Sequence, residues 1–352
     1  MNLPQNPSMD CALVAVVALA TVEAIARGLV IVGVLEMLDD KYTKTGRHDS
    51  NPVVSAFEMN RRVIAFDVVR GIACLMVLGI HLLQLCVAKT DCSMPRNIMY
   101  FFMTPCDGLF FMVTGCLLLR DSELSLNFFI HRVVGIYVPV TIVSLLIVIF
   151  SFGSTIGQQH ENIISFLGKP VWPSYWFFYT LFGVYLLSVP MNNLYRRFKM
   201  RFLHYAIMAW LIEIGLLLGL VMTATGVTLL DIMCEYPILL SILFWGFFPL
   251  GKYIYLKVEE PCMLKMMIMA VSVLLLSIVG TIACITSSML QEYLFQNYLS
   301  PISVCFTACV FYSFLKCRLN SLPMRCVEFL GRHSLWFCLL HVLPWALKGV
   351  KS

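Results

Sequence analysis

Charge is what this 352-residue sequence has least of: Asp, Glu, Lys and Arg make up 13% of it, where a soluble domain carries about 25%. An ordinary soluble enzyme is excluded, because 60% of the residues are apolar and apolar runs of about twenty recur at intervals that match a bilayer. A single basic patch or basic tail is also missing. The net charge of +5 comes in short clusters between apolar runs, which reads as membrane topology and not as nucleic-acid binding. Despite fourteen cysteines, no CxxC pair and no Cys/His ligand spacing occurs, so neither a metal site nor a disulfide framework is expected. Cys74, Cys116, Cys284, Cys305 and Cys338 fall in apolar runs and read as small hydrophobes. Only Cys92, in an outer loop, and Cys106 are placed for a disulfide. Internal repeats and low-complexity tracts are absent too.

What is present is a series of apolar segments at 66–88, 98–119, 133–152, 175–194, 203–225, 237–256, 263–290, 298–315 and, shorter, 334–347. Backbone amides in lipid must be satisfied within their own segment, so each is expected to be a helix. The expected fold is an all-α polytopic transmembrane bundle of about 9 to 10 spans. Lys and Arg fill every second connection: Arg61 and Arg62; Arg120 and Arg132; Arg196, Arg197, Lys199 and Arg201; Lys252, Lys257 and Lys265; Lys316, Arg318, Arg325 and Arg332. These connections are assigned to the cytoplasm. The others hold only Lys89, Arg96 and Lys169 beside Asp231, Glu235 and Glu292, as an outer face requires.

Residues 1–58 read differently. Residues 12–38 are Ala/Val-rich but interrupted by Glu23 and Arg27, and a polar stretch follows at 39–50. An extra span, an interfacial helix and sequence upstream of the working enzyme all fit. A cleaved signal peptide fits least, for want of preceding positive charge. Met59 stands directly before Asn60, Arg61 and Arg62 and offers an alternative start. The chain therefore divides into an N-terminal extension, 1–58, and a membrane domain, 59–352.

Ionisable residues inside apolar spans cost about 3 kcal/mol or more on insertion scales, which makes them functional candidates. Arg70, His81, Asp107 and Glu213 stand out. Eleven steps of about 100° bring His81 back to the face of Arg70, roughly 16 Å further along the helix. An extended thioester cofactor can bridge that distance. Asp67 lies three residues before Arg70 and can pair with it. By spacing alone, a snorkelling arginine and a packed histidine are the favoured explanation of the pattern, since a lone histidine on an apolar helix is a weak signal.

At 61–81 the run RRVIAFDVVRGIACLMVLGIH resembles the opening of the membrane-bound acyltransferase 3 family, whose first span carries Arg and His separated by ten residues. DGLFFMVTGCLLLR at 107–120 is similar to the second span, with Thr114-Gly115 where Ser-Gly is usual. HRVVGIYVP at 131–139 and YWFFYTLFGVYLLSVP at 175–190 resemble the third and fourth. FWGFFPLGKYI at 244–254, NYLSPISV at 297–304 and FLGRHSLWFCLLH at 329–341 resemble late segments. The likeness covers roughly 61–345, and is closest to the short, stand-alone O-acetyltransferases.

That resemblance implies transfer of an acyl group, generally acetyl, from acyl-CoA to hydroxyls of cell-surface glycans or their lipid-linked precursors. It implies a plasma-membrane enzyme with no bound cofactor, acetyl-CoA being a substrate; its partners are the lipid bilayer, acyl-CoA and the glycan acceptor. His81 would be catalytic, as general base or as an acylated relay, and Arg70 and Arg132 would bind the donor. Where the family has a second basic residue three after Arg132, this chain has Gly135, which leaves Arg120 or His131 as substitutes. His341 matches the family's late histidine, and Asp107 either lines the acceptor's entrance or pairs with Arg96. Trp172, Tyr175 and Trp176 read first as an interfacial aromatic belt, with stacking on a sugar as the alternative. The family usually continues through one more helix than this chain does. A secondary transporter, suggested by Arg70, Asp107 and Glu213 but lacking paired broken spans, and an inactive scaffold relative are the competing classes.

Overall fold

The computed structural model describes residues 52–87, 99–150, 169–221, 233, 235–257, 298–315 and 322–341, and among these the only regular structure is helical. The helices are α1 (Pro52–Val87), α2 (Pro105–Leu118), α3 (Leu126–Phe150), α4 (Trp176–Phe198), α5 (Met200–Val221), α6 (Ser241–Phe244), α7 (Phe247–Lys257), α8 (Pro301–Leu315), α9 (Leu322–Arg332) and α10 (Ser334–Leu340). α1 runs without a break through Met59 and through both Arg70 and His81.

Four described segments are long and apolar enough to cross a bilayer: Ile64–Leu83, Met99–Leu118, Asn127–Ile149 and Pro237–Lys257. They coincide with four of the nine apolar segments in the sequence. The extension at 1–51, the segment 263–290 and residues Cys92 and Arg96 lie outside the described residues.

Lipid supplies little hydrophobic driving force between helices, so association rests on close van der Waals approach at small residues. Two crossings show this. α2 meets α7 where Gly115 faces Phe248 and Gly251 faces Met112. A Cβ on Gly115 would sit 2.4 Å from the Phe248 carbonyl oxygen, and one on Gly251 would sit 2.5 Å from that of Met112. α1 meets α9 in the same way, Gly71 against Val327 and Gly331 against Asp67, with 2.0 and 1.6 Å left for a Cβ. In all four cases the obstacle is backbone, which cannot swing aside.

Polar side chains tie the remaining contacts. Trp210 Nε1 donates to the Leu243 carbonyl at 2.6 Å, Thr180 Oγ1 to the Pro237 carbonyl at 2.8 Å, and Tyr175 Oη to the Leu339 carbonyl at 2.8 Å. Glu213 has a partner: Trp245 Nε1 donates to its Oε2 at 2.7 Å, so this intramembrane carboxyl joins α5 to the α6–α7 turn. Asn192, fully buried on α4, accepts from the Arg120 amide at 2.8 Å and donates to the Ser122 carbonyl at 3.0 Å, closing the end of α2.

Gly115→Ala is expected to destabilise the α2–α7 crossing by about 1–3 kcal/mol, the usual range for overpacking, and to lower the thermal unfolding midpoint in detergent. Gly135→Ala, where a Cβ meets nothing within 4 Å, is the control and should leave the midpoint unchanged or slightly raised.

Candidate active site

The helical repeat puts Arg70 and His81 on one face of α1, with Arg70 towards one end of the bundle and His81 towards the other. At the Arg70 end, cations gather. Arg70 Nη1 donates to Asp67 Oδ1 at 3.2 Å, and Arg332 Nε lies 3.5 Å from Asp67 Oδ2. Asp67 therefore holds an arginine from α1 and one from the end of α9, and Arg332 also pairs with Glu328. Arg132 projects at the start of α3, with its guanidinium carbon 5.5 Å from the Phe128 ring centre; that of Arg120 lies 4.2 Å from the same ring. Tyr185 on α4 is within electrostatic reach of both Arg70 and Arg132. Arg70, Arg120 and Arg132 thus converge on the region around Phe128 and Tyr185.

Around them lies an ion-pair rim: Arg196 Nη1 with Glu123 at 2.7 Å, and Lys199 with Asp121. The Lys199 hydrogen bond holds the Asp121 carboxyl below its ordinary range. What it adds to stability is complete above the unfolded carboxylate pKa and fades as pH falls through the lower folded value. Lys169 pairs with Glu235, and that hydrogen bond pushes the Lys169 ammonium upward. Among the described ion pairs, residues of the two sets of connections distinguished by charge in the sequence never mix.

At the other end, His81 faces His341, their ring centres 5.1 Å apart and tilted by 34°. His341 closes α10, with Nδ1 3.2 Å from the Phe337 carbonyl. Beside His81 opens a cavity of about 200 Å³, to which Cys106 and Asp107 contribute from α2, Ser174 and Trp176 from the start of α4, and Tyr298 from the turn before α8. One to two helical turns inward, Cys74 and Cys338 lie with sulfurs 3.9 Å apart, both as free thiols.

A family model for an acyltransferase domain matches residues 63–348, which takes in both ends of this site. The chain belongs to the acyltransferase 3 family. No curated protein and no solved structure matches it. This acyltransferase 3 protein is accordingly a membrane acyltransferase, and its candidate residues fall into two groups. His81 and Asp107 line the cavity, with His341 ring to ring against His81, while Arg70 and Arg132 share the cationic end.

Two sequence expectations need correction. Trp172 and Tyr175 are 3% and 0% exposed, so they are core residues and not an interfacial belt; Tyr175 meets Leu339 of α10 and Phe178 of α4, and only Trp176 of the three lines the cavity. Cys106 is a buried free thiol on that same wall. Sequence reasoning missed Ser174, Tyr298 and Arg332 as site residues. Tyr298 and Arg332 sat inside stretches matched to the family, but a tyrosine at a span's edge and an arginine in a basic loop each have a common structural explanation.

The double-headed pairing of Asp67 is testable by double-mutant cycles with Asp67→Asn, read as thermal unfolding in detergent. The Arg70 pair, on a carboxyl only 9% exposed, should couple by about 1.5–3 kcal/mol. The half-exposed Arg332 pair should couple by about 0–1 kcal/mol.

Proposed function

We propose that this protein moves an acyl group, acetyl in the first instance, from acyl-CoA to a hydroxyl of a cell-surface glycan or its lipid-linked precursor at the plasma membrane, as a member of the short, stand-alone branch. The observation that carries the reading is the register of α1. One unbroken helix presents an arginine at the cationic end and a histidine at a cavity roughly 16 Å away, a spacing suited to an extended donor with phosphates at one end and a thioester at the other.

In this reading Arg70 and Arg132 hold the donor's phosphates by charge-assisted hydrogen bonds, and the pantetheine arm lies along α1 with its thioester beside His81. The acceptor hydroxyl is a weak nucleophile at its own pKa. Neutral His81 takes its proton as the oxygen attacks the thioester carbonyl carbon. The tetrahedral intermediate collapses with cleavage of the C–S bond; the departing thiolate takes the proton from the imidazolium, leaving free CoA thiol and the new ester. His341, ring to ring with His81, fixes the orientation of that imidazole.

Membranes carrying the protein are expected to move radiolabelled acetyl from acetyl-CoA into a glycan fraction. His81→Ala should abolish the transfer, by at least 10²-fold as expected of a general base, at unchanged abundance. Undiminished transfer by the alanine variant would remove His81 from the chemistry. The open space at Gly135 gives a second test, because a Cβ added there meets nothing within 4 Å. Gly135→Arg should lower the KM for acetyl-CoA several-fold with kcat within about twofold, following the rule that uniform binding changes KM alone.

A further inference from the structure

The cavity beside His81 has a chemical character that the acyl-transfer reading does not use. Its lining combines one indole and one phenol with a carboxyl, a serine hydroxyl and the His81 imidazole, and among the described residues that line it there is no lysine or arginine. The cations stand at the far end of α1, with Arg70 about three helical turns from His81. Trp176 and Tyr298 face one another as a tilted aromatic pair, ring centres 5.9 Å apart and planes at 51°. Asp107 is 7% exposed and opens on the same space as Tyr298. Thr104, at the foot of α2, bonds to Ser303 of α8 at 3.4 Å, which holds the Asp107 wall against the element that follows Tyr298.

We propose that this cavity is the acceptor subsite and is built for a single neutral sugar ring, seated against Trp176 and Tyr298 with its hydroxyls bonded by Asp107. This rests on the acyl-transfer reading for the term acceptor, but not for the recognition. Sites for small molecules are mostly apolar, with a few placed polar groups that set orientation. A pyranose has an apolar C–H face that suits an aromatic wall and an equatorial rim of hydroxyls that a carboxyl can bond. At about 200 Å³ the space takes one ring and not a disaccharide. An anionic sugar would bury its charge beside a carboxyl with no lysine or arginine among the described lining residues to compensate it, which is costly. Neutral hexoses and N-acetylhexosamines are therefore admitted, while uronic and sialic acids are refused.

The test uses the full-length protein in nanodiscs with no acyl donor present, and measures binding of tritiated methyl galactoside, methyl glucoside and methyl N-acetylglucosaminide against methyl glucuronide and N-acetylneuraminate. At least one neutral glycoside is expected to bind ten times or more tightly than either anionic compound. Trp176→Ala should weaken that binding at least tenfold, Trp176→Phe should restore it to within threefold, and Asp107→Asn should weaken it several-fold, all in protein that remains monodisperse. Binding of no neutral glycoside, equal binding of neutral and anionic sugars, or unchanged binding by Trp176→Ala overturns the subsite. The two readings separate cleanly. The expected binding pattern in a protein that transfers no acyl group would leave the subsite standing and sink the acyl-transfer reading. Glycan acylation that survives Trp176→Ala at an unchanged acceptor KM would do the reverse.

Discussion

The helical repeat of α1 is the constraint on which the rest of the site depends. A side chain eleven residues further along a helix returns to the same face about three turns away, so the relation between Arg70 and His81 is set by backbone geometry and needs no loop to hold it. Because α1 is continuous through both residues, anything that shifts one end of it shifts the other. The shared carboxylate of Asp67 and the backbone contact of Gly331 against that same residue pin the helix at its cationic end. The paired His81 and His341 rings fix it beside the cavity.

Holding two walls against that helix is a packing problem, and it is solved with glycine because lipid gives apolar side chains no reason to prefer one another. Gly115 and Gly251 let α2 and α7 touch backbone to backbone. Since α2 also begins with Cys106 and Asp107, the depth of that crossing sets where the carboxyl stands in the cavity. Trp176 is positioned from behind: Tyr175, fully buried and bonded to the Leu339 carbonyl, anchors the first turn of α4 to the helix that carries His341. The two aromatic neighbours differ in role for that reason. One is a core strut and the other is a wall of the site.

Much of this was legible in the sequence, and the boundary is physical. Apolar runs read as helices because a bilayer leaves the backbone no alternative, and the Arg70–His81 face follows from arithmetic. The gathering of Arg70, Arg120 and Arg132 around Phe128 and Tyr185 was half visible, as basic residues in alternating loops, but charge alternation says which end a residue occupies and not what it touches. Trp172 and Tyr175 were misread because an aromatic cluster at a span's edge looks the same whether it meets lipid headgroups or a neighbouring helix. Tyr298, Ser174 and the second arginine on Asp67 were invisible because their partners lie between about a hundred and three hundred residues away in the chain, a separation that pattern and period cannot bridge.

The division of charge along α1 bears on the order of events. Arg70, Arg120 and Arg132 at one end suit the anionic donor of the proposed function, while the cavity at the other end offers hydrogen bonds and aromatic faces without a lysine or arginine among its described lining residues. A polyanion such as CoA has no electrostatic reason to reach the cavity, and a neutral hydroxylated ring has none to dwell at the arginines. In the proposed function, donor and acceptor would therefore be sorted before either is bound tightly, and would meet only at His81. On that proposal a single histidine suffices because the two substrates would be brought to it from opposite ends of one helix, so proximity and orientation would supply much of what a longer catalytic relay would otherwise provide.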